Sequence, residues 1–193
     1  FIILIGLIFG SFANVCIHRL PLDLDIVKAR SHCPKCKKKI IWYDNIPLLS
    51  SLILSFKCRT CKKKISKQYF IVELLTGLAF IFFYKTLGLS FDFVLICIIF
   101  LILLIIFFID LKHYIIPDSL NFSLILIGII KNFTTQDLLK FNYNLPDSLF
   151  GGALGYLIIW LIIFIYKKMR NKEAMGLGDA KLLSAFGFLL GFQ

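Results

Sequence analysis

Polar character is scarce in this 193-residue chain. Only 17% of its residues are charged, while 59% are hydrophobic and the mean hydropathy is +0.87. Soluble domains hold roughly 45–50% apolar residues, so a soluble globule is excluded. Acidic residues are scarcer still, eleven against 22 Lys and Arg, and the imbalance is local. Residues 18–68 hold 13 Lys and Arg but only Asp23, Asp25 and Asp44, so +10 of the net +11 sits in this one segment. A basic excess confined to one loop marks that loop as cytoplasmic and argues against a nucleic-acid partner. No small-residue cleavage site follows the apolar start from Phe1 to Val15, which reads as a retained helix rather than a signal peptide. No Met opens the chain and apolar sequence continues to Gln193, so both ends read as cut.

What is present in quantity is long apolar runs. They predict membrane segments at about 1–17, 69–85, 91–109, 116–131, 148–166 and 177–193. The fold class expected is an all-α polytopic membrane protein with about six transmembrane helices and a small cytoplasmic zinc-knuckle domain. Residues 1–17 form its first helix, 18–68 the cytoplasmic four-cysteine domain, and 69–193 a membrane domain shortened at its C-terminal end. The basic cluster Lys167-Lys-Met-Arg-Asn-Lys172 falls where the alternation of sides expects another inside loop. In the first helix Gly6-x-x-x-Gly10, with Ser11, Ala13 and Asn14, makes a small face suited to close helix packing.

The polar loop contains a near-repeat, Cys33-Pro-Lys-Cys36-Lys-Lys-Lys-Ile and Cys58-Arg-Thr-Cys61-Lys-Lys-Lys-Ile. Two C-x2-C pairs separated by 21 residues offer a tetrahedral thiolate set for structural zinc. The βαβ setting of a redox pair is missing, and disulfides are disfavoured on the cytoplasmic side. The neighbouring lysines offset thiolate charge and face anionic headgroups of the lipid bilayer. Ile46 to Phe56, between the pairs, is apolar but too short to span; it suits packing under the knuckles or lying at the interface. Cys16 and Cys97 lie in apolar helices and read as buried structural residues.

Ionisable residues in or at the ends of membrane helices are costly, which singles out Glu73, Asp110, Asp118 and Asp179. Asp110 ends the third segment and Asp179 begins the sixth, so both are placed at the cytoplasmic surface. Two carboxylates sharing a site do not both ionise easily, and such a pair can activate water and protonate an amide leaving group. The bland reading is capping or anchoring, which suits Asp179 better than Asp110, because a carboxylate at a helix C-terminus opposes the dipole. Gly176-Leu-Gly178-Asp179 removes side chains from the approach to an extended peptide, making Gly176, Gly178 and Lys181 candidate substrate contacts. Asp118, after Pro117, reads as a helix cap. Glu73 either pairs with a lysine of the knuckles or lines a pocket.

Six ordered motifs then carry a resemblance over nearly the whole chain. They are Gly10-Ser-Phe-Ala-Asn-Val-Cys-Ile-His-Arg-Leu-Pro21, the paired knuckles, Trp42-Tyr-Asp-Asn-Ile-Pro-Leu-Leu-Ser50, Val72-Glu-Leu-Leu-Thr76, Ile109-Asp110 with Ile116-Pro-Asp118, and Gly176-Leu-Gly-Asp179-Ala-Lys181. The chain resembles bacterial prepilin peptidases, also called type IV leader peptidases, which are membrane aspartic peptidases of the GxGD type. The resemblance implies removal of a basic leader from type IV prepilins and type II secretion pseudopilins at the cytoplasmic face of the bacterial inner membrane. Asp110 and Asp179 match the family's catalytic aspartates, and Cys33, Cys36, Cys58 and Cys61 its zinc cysteines. It also implies N-methylation of the new N-terminus with S-adenosylmethionine. Here the sequence departs, with Phe56-Lys57 where the family often has Gly-Lys. The rival reading from another class is a non-enzymatic zinc-bearing scaffold of a pilus or secretion machine, in which both aspartates are anchors.

Overall fold

The computed structural model describes residues 1–26, 32–33, 35–134, 145–170 and 176–191. Each expected membrane segment is a helix: α1 (Ile2–Arg19), α3 (Gln68–Leu87), α4 (Phe91–His113), α5 (Asp118–Thr134), α6 (Leu145–Arg170) and α7 (Leu177–Leu190). A short α2 (Leu49–Ile53) lies in the polar loop. Among the described residues there is no strand, only two isolated β-bridges. Four stretches, Ile2–Leu22, Gln68–Leu87, Phe91–His113 and Leu145–Arg170, are long and apolar enough to cross a bilayer. At 1.5 Å per residue, α5 and α7 reach about 26 and 21 Å, short of a roughly 30 Å hydrocarbon core. Lys172 of the expected basic cluster and the end of the sixth segment lie outside the described residues.

The chain packs as two compact units, Phe1–Phe108 and Ile109–Gln193. In the first, the small face of α1 meets α3, as its glycines lead one to expect. A Cβ on Gly6 would stand 2.9 Å from the Gly77 Cα, and one on Gly10 would stand 2.8 Å from the Glu73 Cα. Helices in lipid gain little from hydrophobic burial against each other, so close backbone approach of this kind supplies the dispersion contacts. The start of α4 joins through Phe93 and Cys97, which bury with Phe80 against Ile2, Ile5 and Phe83.

Polar groups in this interface reach backbone, although the Asn14 Oδ1 is buried without a partner among the described residues. Asn14 donates from Nδ2 to the Tyr69 carbonyl at 3.0 Å, and Arg19 donates from Nη1 to the carbonyls of Asp25 and Ile26 at 3.0 and 3.3 Å. Glu73 is only 6% exposed. Its Oε2 accepts from the Leu48 N–H at 2.8 Å, and Ser11 hydrogen-bonds the same side chain. Glu73 therefore clamps the loop backbone at Leu48, which holds a positive φ of 59°.

The sequence near-repeat is a structural near-repeat. In each knuckle the first cysteine's N–H bonds a lysine carbonyl five residues on (Cys33 to Lys38 at 3.0 Å, Cys58 to Lys63 at 2.9 Å). The first cysteine's carbonyl accepts from Lys37 or Lys62 at 2.9 Å. The turn forces Lys37 and Lys62 to the same φ of 56°, a left-handed conformation better suited to glycine. Between the knuckles, Arg59 grips Asp44 through Nε and Nη2 at 2.8 and 2.6 Å and lies over the Tyr43 ring. That paired guanidinium holds the Asp44 carboxyl below the usual carboxylate range. The apolar stretch between the cysteine pairs forms α2, with Leu49, Leu52 and Ile53 exposed, as suits a segment at an interface.

In the second unit α7 is held between α5 and α6. The carbonyl of Gly187 would lie 2.7 Å from a Cβ on Gly151, and that of Leu183 2.7 Å from one on Gly155. On the other side, Gly128 of α5 meets the Phe188 backbone. Lys131, buried on α5, donates from Nζ to the Leu189 carbonyl at 3.0 Å, satisfying an acceptor that the end of α7 would otherwise leave open.

Candidate active site and metal centre

Asp110 occupies the last turn of α4, where it is exposed, and its carbonyl accepts from the Tyr114 N–H at 2.9 Å as the helix ends. Asp179 is the third residue of α7, half-buried, behind an extended Gly176 at φ −76° and ψ 150°. The two helix ends differ electrostatically: a negative charge is favoured in the first turn of α7 and disfavoured in the last turn of α4.

The connection that follows Asp110 also holds the start of α7. A Cβ on Gly178 would lie 3.2 Å from the Ile116 Cβ, so glycine there permits close seating of the α7 N-terminus. Two residues beyond Asp179, Lys181 donates from Nζ to both oxygens of Asp118 at 2.7 and 2.8 Å. Asp118 was expected as a cap, and Lys181 as a substrate contact; the structure joins them to each other. Asp110, Ile116, Asp118, Gly178, Asp179 and Lys181 all belong to the second unit. Among the described residues the nearest atom to a Cβ placed on Gly176 is its own loop's Gly178 nitrogen at 3.8 Å.

Sequence reasoning missed Asn121, Ser184 and the α6–α7 glycine seam. An Asn one turn beyond Asp118 in an expected membrane segment was the available signal for Asn121, and Gly151-x-x-x-Gly155 for the seam.

In the polar loop the Sγ atoms of Cys33, Cys36, Cys58 and Cys61 all lie within 4.8 Å of one another, a set that can hold a metal ion. Cys33 and Cys61 are 3.9 Å apart, and tetrahedral bonds of 2.3 Å would set sulfurs about 3.8 Å apart. Backbone N–H groups of Cys61 and Thr60 hold the Cys58 thiol down at about 6, whereas Cys61, despite the Lys63 N–H, is pushed up to about 11 by desolvation and the neighbouring sulfurs, so the set shares its negative charge unevenly. The donor set and its spacing therefore fit a thiophilic divalent ion.

Comparison with known proteins agrees with these two halves. Residues 4–87 match the model of the bacterial peptidase A24 N-terminal domain, and residues 97–193 that of the type IV leader peptidase family. The chain is 39% identical over 194 residues to a prepilin leader peptidase/N-methyltransferase of Myxococcus xanthus, covering all of this chain and 56% of that protein. It is 36% identical to a protein of the same name from Klebsiella pneumoniae, over all of this chain and 85% of the relative. The one from Vibrio cholerae is 38% identical over 98% of this chain and 76% of its own length. No solved structure matches the chain.

Proposed function

Because the chain belongs to the type IV leader peptidase family, we propose that it is a membrane aspartic endopeptidase that removes the basic leader of type IV prepilins and pseudopilins. The observation that carries this reading is the seating of the first turn of α7, with Asp179, on Ile116 and Asp118 of the connection that follows Asp110. One aspartate activates a water for attack on the scissile carbonyl while its protonated partner hydrogen-bonds the carbonyl oxygen; the proton then passes to the leaving amine. Gly176 and Gly178 leave the approach clear for an extended chain, and Lys181 serves through Asp118 as a brace.

The basic segment 18–68 supports a cytoplasmic location for the knuckles and, with the alternation of helices, for both aspartates at the inner membrane. This topology has α5 and α7 cross as well, using local thinning or flanking polar residues to make up their length. Zinc is the ion that Cys33, Cys36, Cys58 and Cys61 fit best, and once bound it would cross-link the two knuckles.

The relatives are named as N-methyltransferases too. Methyl transfer from S-adenosylmethionine would need an open backbone approach where the family often has glycine. Phe56 keeps a left-handed φ of 56°, but it adds a ring that packs edge-on against Phe70 at 5.7 Å. That residue does not fit a cofactor lying against the backbone there, and we assign it no methyl-transfer step.

The test is cleavage of a tagged prepilin by membranes holding the full chain, Asp110→Asn or Asp179→Asn at equal expression. Each variant should lose about 10²- to 10⁴-fold in rate, the usual worth of a positioned acid or base. Full processing by either variant would reduce that aspartate to an anchor, and the non-enzymatic scaffold reading would stand if both remained active.

A further inference from the structure

Beside the Asp118–Lys181 pair, the second unit forms a half-open cavity of about 180 Å³ lined by Asn121, Phe122, Ile125, Tyr156, Lys181 and Ser184. Asn121 is 2% exposed; its Oδ1 and Nδ2 are both covered, and neither has a hydrogen-bond partner among the described residues. A buried amide with donor and acceptor both unused is strongly disfavoured, more so inside a membrane protein, so such a group in a cavity wall marks a position where something else completes the bonding. The volume lies below the roughly 300–1,000 Å³ of small-molecule sites, which argues for a short piece of chain rather than a cofactor.

Geometry relates this cavity to the aspartates. Asn121 follows Asp118 by one turn of α5, and Ser184 follows Lys181 by one turn of α7, so ion pair and cavity stack on the same two helix faces. From Asp179 to Ser184 α7 advances about 7.5 Å, a distance an extended peptide covers in two residues or so. A peptide bond can be attacked only where the substrate is extended, and an extended chain exposes N–H and C=O groups that lipid cannot satisfy. Turned into the cavity, the Asn121 side chain would offer the complement of one such peptide unit: Nδ2–H for its carbonyl and Oδ1 for its N–H.

We propose that the cavity is a substrate subsite in which Asn121 pairs, through both amide atoms, with one backbone peptide unit of the prepilin about two residues to the mature side of the scissile bond. The mature side follows from α7 running away from Asp179 into the bilayer. The inference rests on the peptidase reading above and adds to it a residue that positions substrate.

An ester scan tests it. Prepilin-like substrates are made with each of the first three mature-side amide bonds replaced, one at a time, by an ester, which removes the N–H that Oδ1 would accept. The full chain in detergent and its Asn121→Leu variant are compared on each. Wild-type cleavage should fall about 5- to 30-fold for the ester between the second and third mature residues, the range expected for one well-placed hydrogen bond. Asn121→Leu should be slowed by a similar factor on the amide substrate and should show no more than about twofold further loss on that ester. Equal cleavage of amide and ester by the wild type would overturn the subsite, as would a full ester penalty retained by Asn121→Leu. The wild-type scan alone decides the matter if the variant does not fold. Failure of the wild type to cleave any of these substrates would overturn the peptidase reading itself, and the subsite with it.

Discussion

Replacing Gly10 with alanine should drive α1 and α3 apart. The new Cβ would stand 2.8 Å from the Glu73 Cα, 3.0 Å from the Thr76 Oγ1 and 3.1 Å from the Thr76 Cβ. The closest approach falls 0.6 Å short of the 3.4 Å at which ordinary contact begins. None of these atoms is the free end of a flexible side chain, because the Thr76 hydroxyl is tied to the Val72 carbonyl at 2.6 Å. The helix itself must move, and with it Glu73, whose 2.8 Å bond to the Leu48 N–H holds the loop. Overpacking of a close contact costs about 1–3 kcal/mol. With the strained Glu73 bond added, about 2–3 kcal/mol is expected, a roughly 30- to 150-fold shift toward the unfolded state. The assay is reversible denaturant unfolding of the detergent-solubilised full chain, followed by circular dichroism. Gly176→Ala, whose Cβ would meet nothing closer than 3.8 Å among the described residues, is the control and should leave stability within about 0.5 kcal/mol. A Gly10→Ala midpoint equal to that of the control would refute the close α1–α3 seam.

In the second unit Gly187→Ala should cost a comparable 1–3 kcal/mol or so in the same assay, because its Cβ would strike the Gly151 backbone directly. Lys37→Gly and Lys62→Gly should each stabilise the knuckles by about 0.5–1 kcal/mol, the left-handed penalty of a lysine less the extra freedom that glycine brings to the unfolded chain; thermal melting with metal bound measures it. Chelation of the bound ion should loosen residues 32–64 first, seen as faster proteolysis there, with recovery on adding zinc and no recovery in Cys33→Ser/Cys58→Ser. Asp118→Asn should change stability by no more than about 1 kcal/mol, since the pair is largely exposed, yet slow prepilin cleavage by loosening the α7 start. Exchanging the pair as Asp118→Lys with Lys181→Asp should restore part of the rate, whereas a purely local role for either residue predicts no rescue.

The elements of this protein were legible because membrane helices obey a length and hydropathy rule that needs no tertiary information. Each of the six expected segments forms a helix, four of them long and apolar enough to cross a bilayer, and both singled-out aspartates sit at helix ends, because α4 runs apolar up to Asp110 and α7 begins at the glycines before Asp179. The doubled Cys-Lys-Lys-Lys-Ile pattern implied two like knuckles, since equal sequences at equal spacing take equal turns. The small face of α1 pointed to a close partner without saying which helix supplies it.

Everything that depends on which surfaces meet was decided by packing. From its flanking residues Asp118 reads as a cap; only the fold brings Lys181 from 63 positions away onto both of its oxygens. Glu73 reached a backbone N–H in the loop instead of a lysine, because α3 and α1 bury it where a charged partner would also have to be desolvated. Asn121 was one of several polar residues at the start of α5 until α5, α6 and α7 closed around it and left its amide unpaired among the described residues. Composition and periodicity are properties of neighbours along the chain and so determine helices, charge placement and metal-ligand spacing. Pairing of groups tens of residues apart depends on the mutual fit of helix surfaces, where glycine contacts of a few tenths of an ångström select the partner, and only the tertiary structure supplies that.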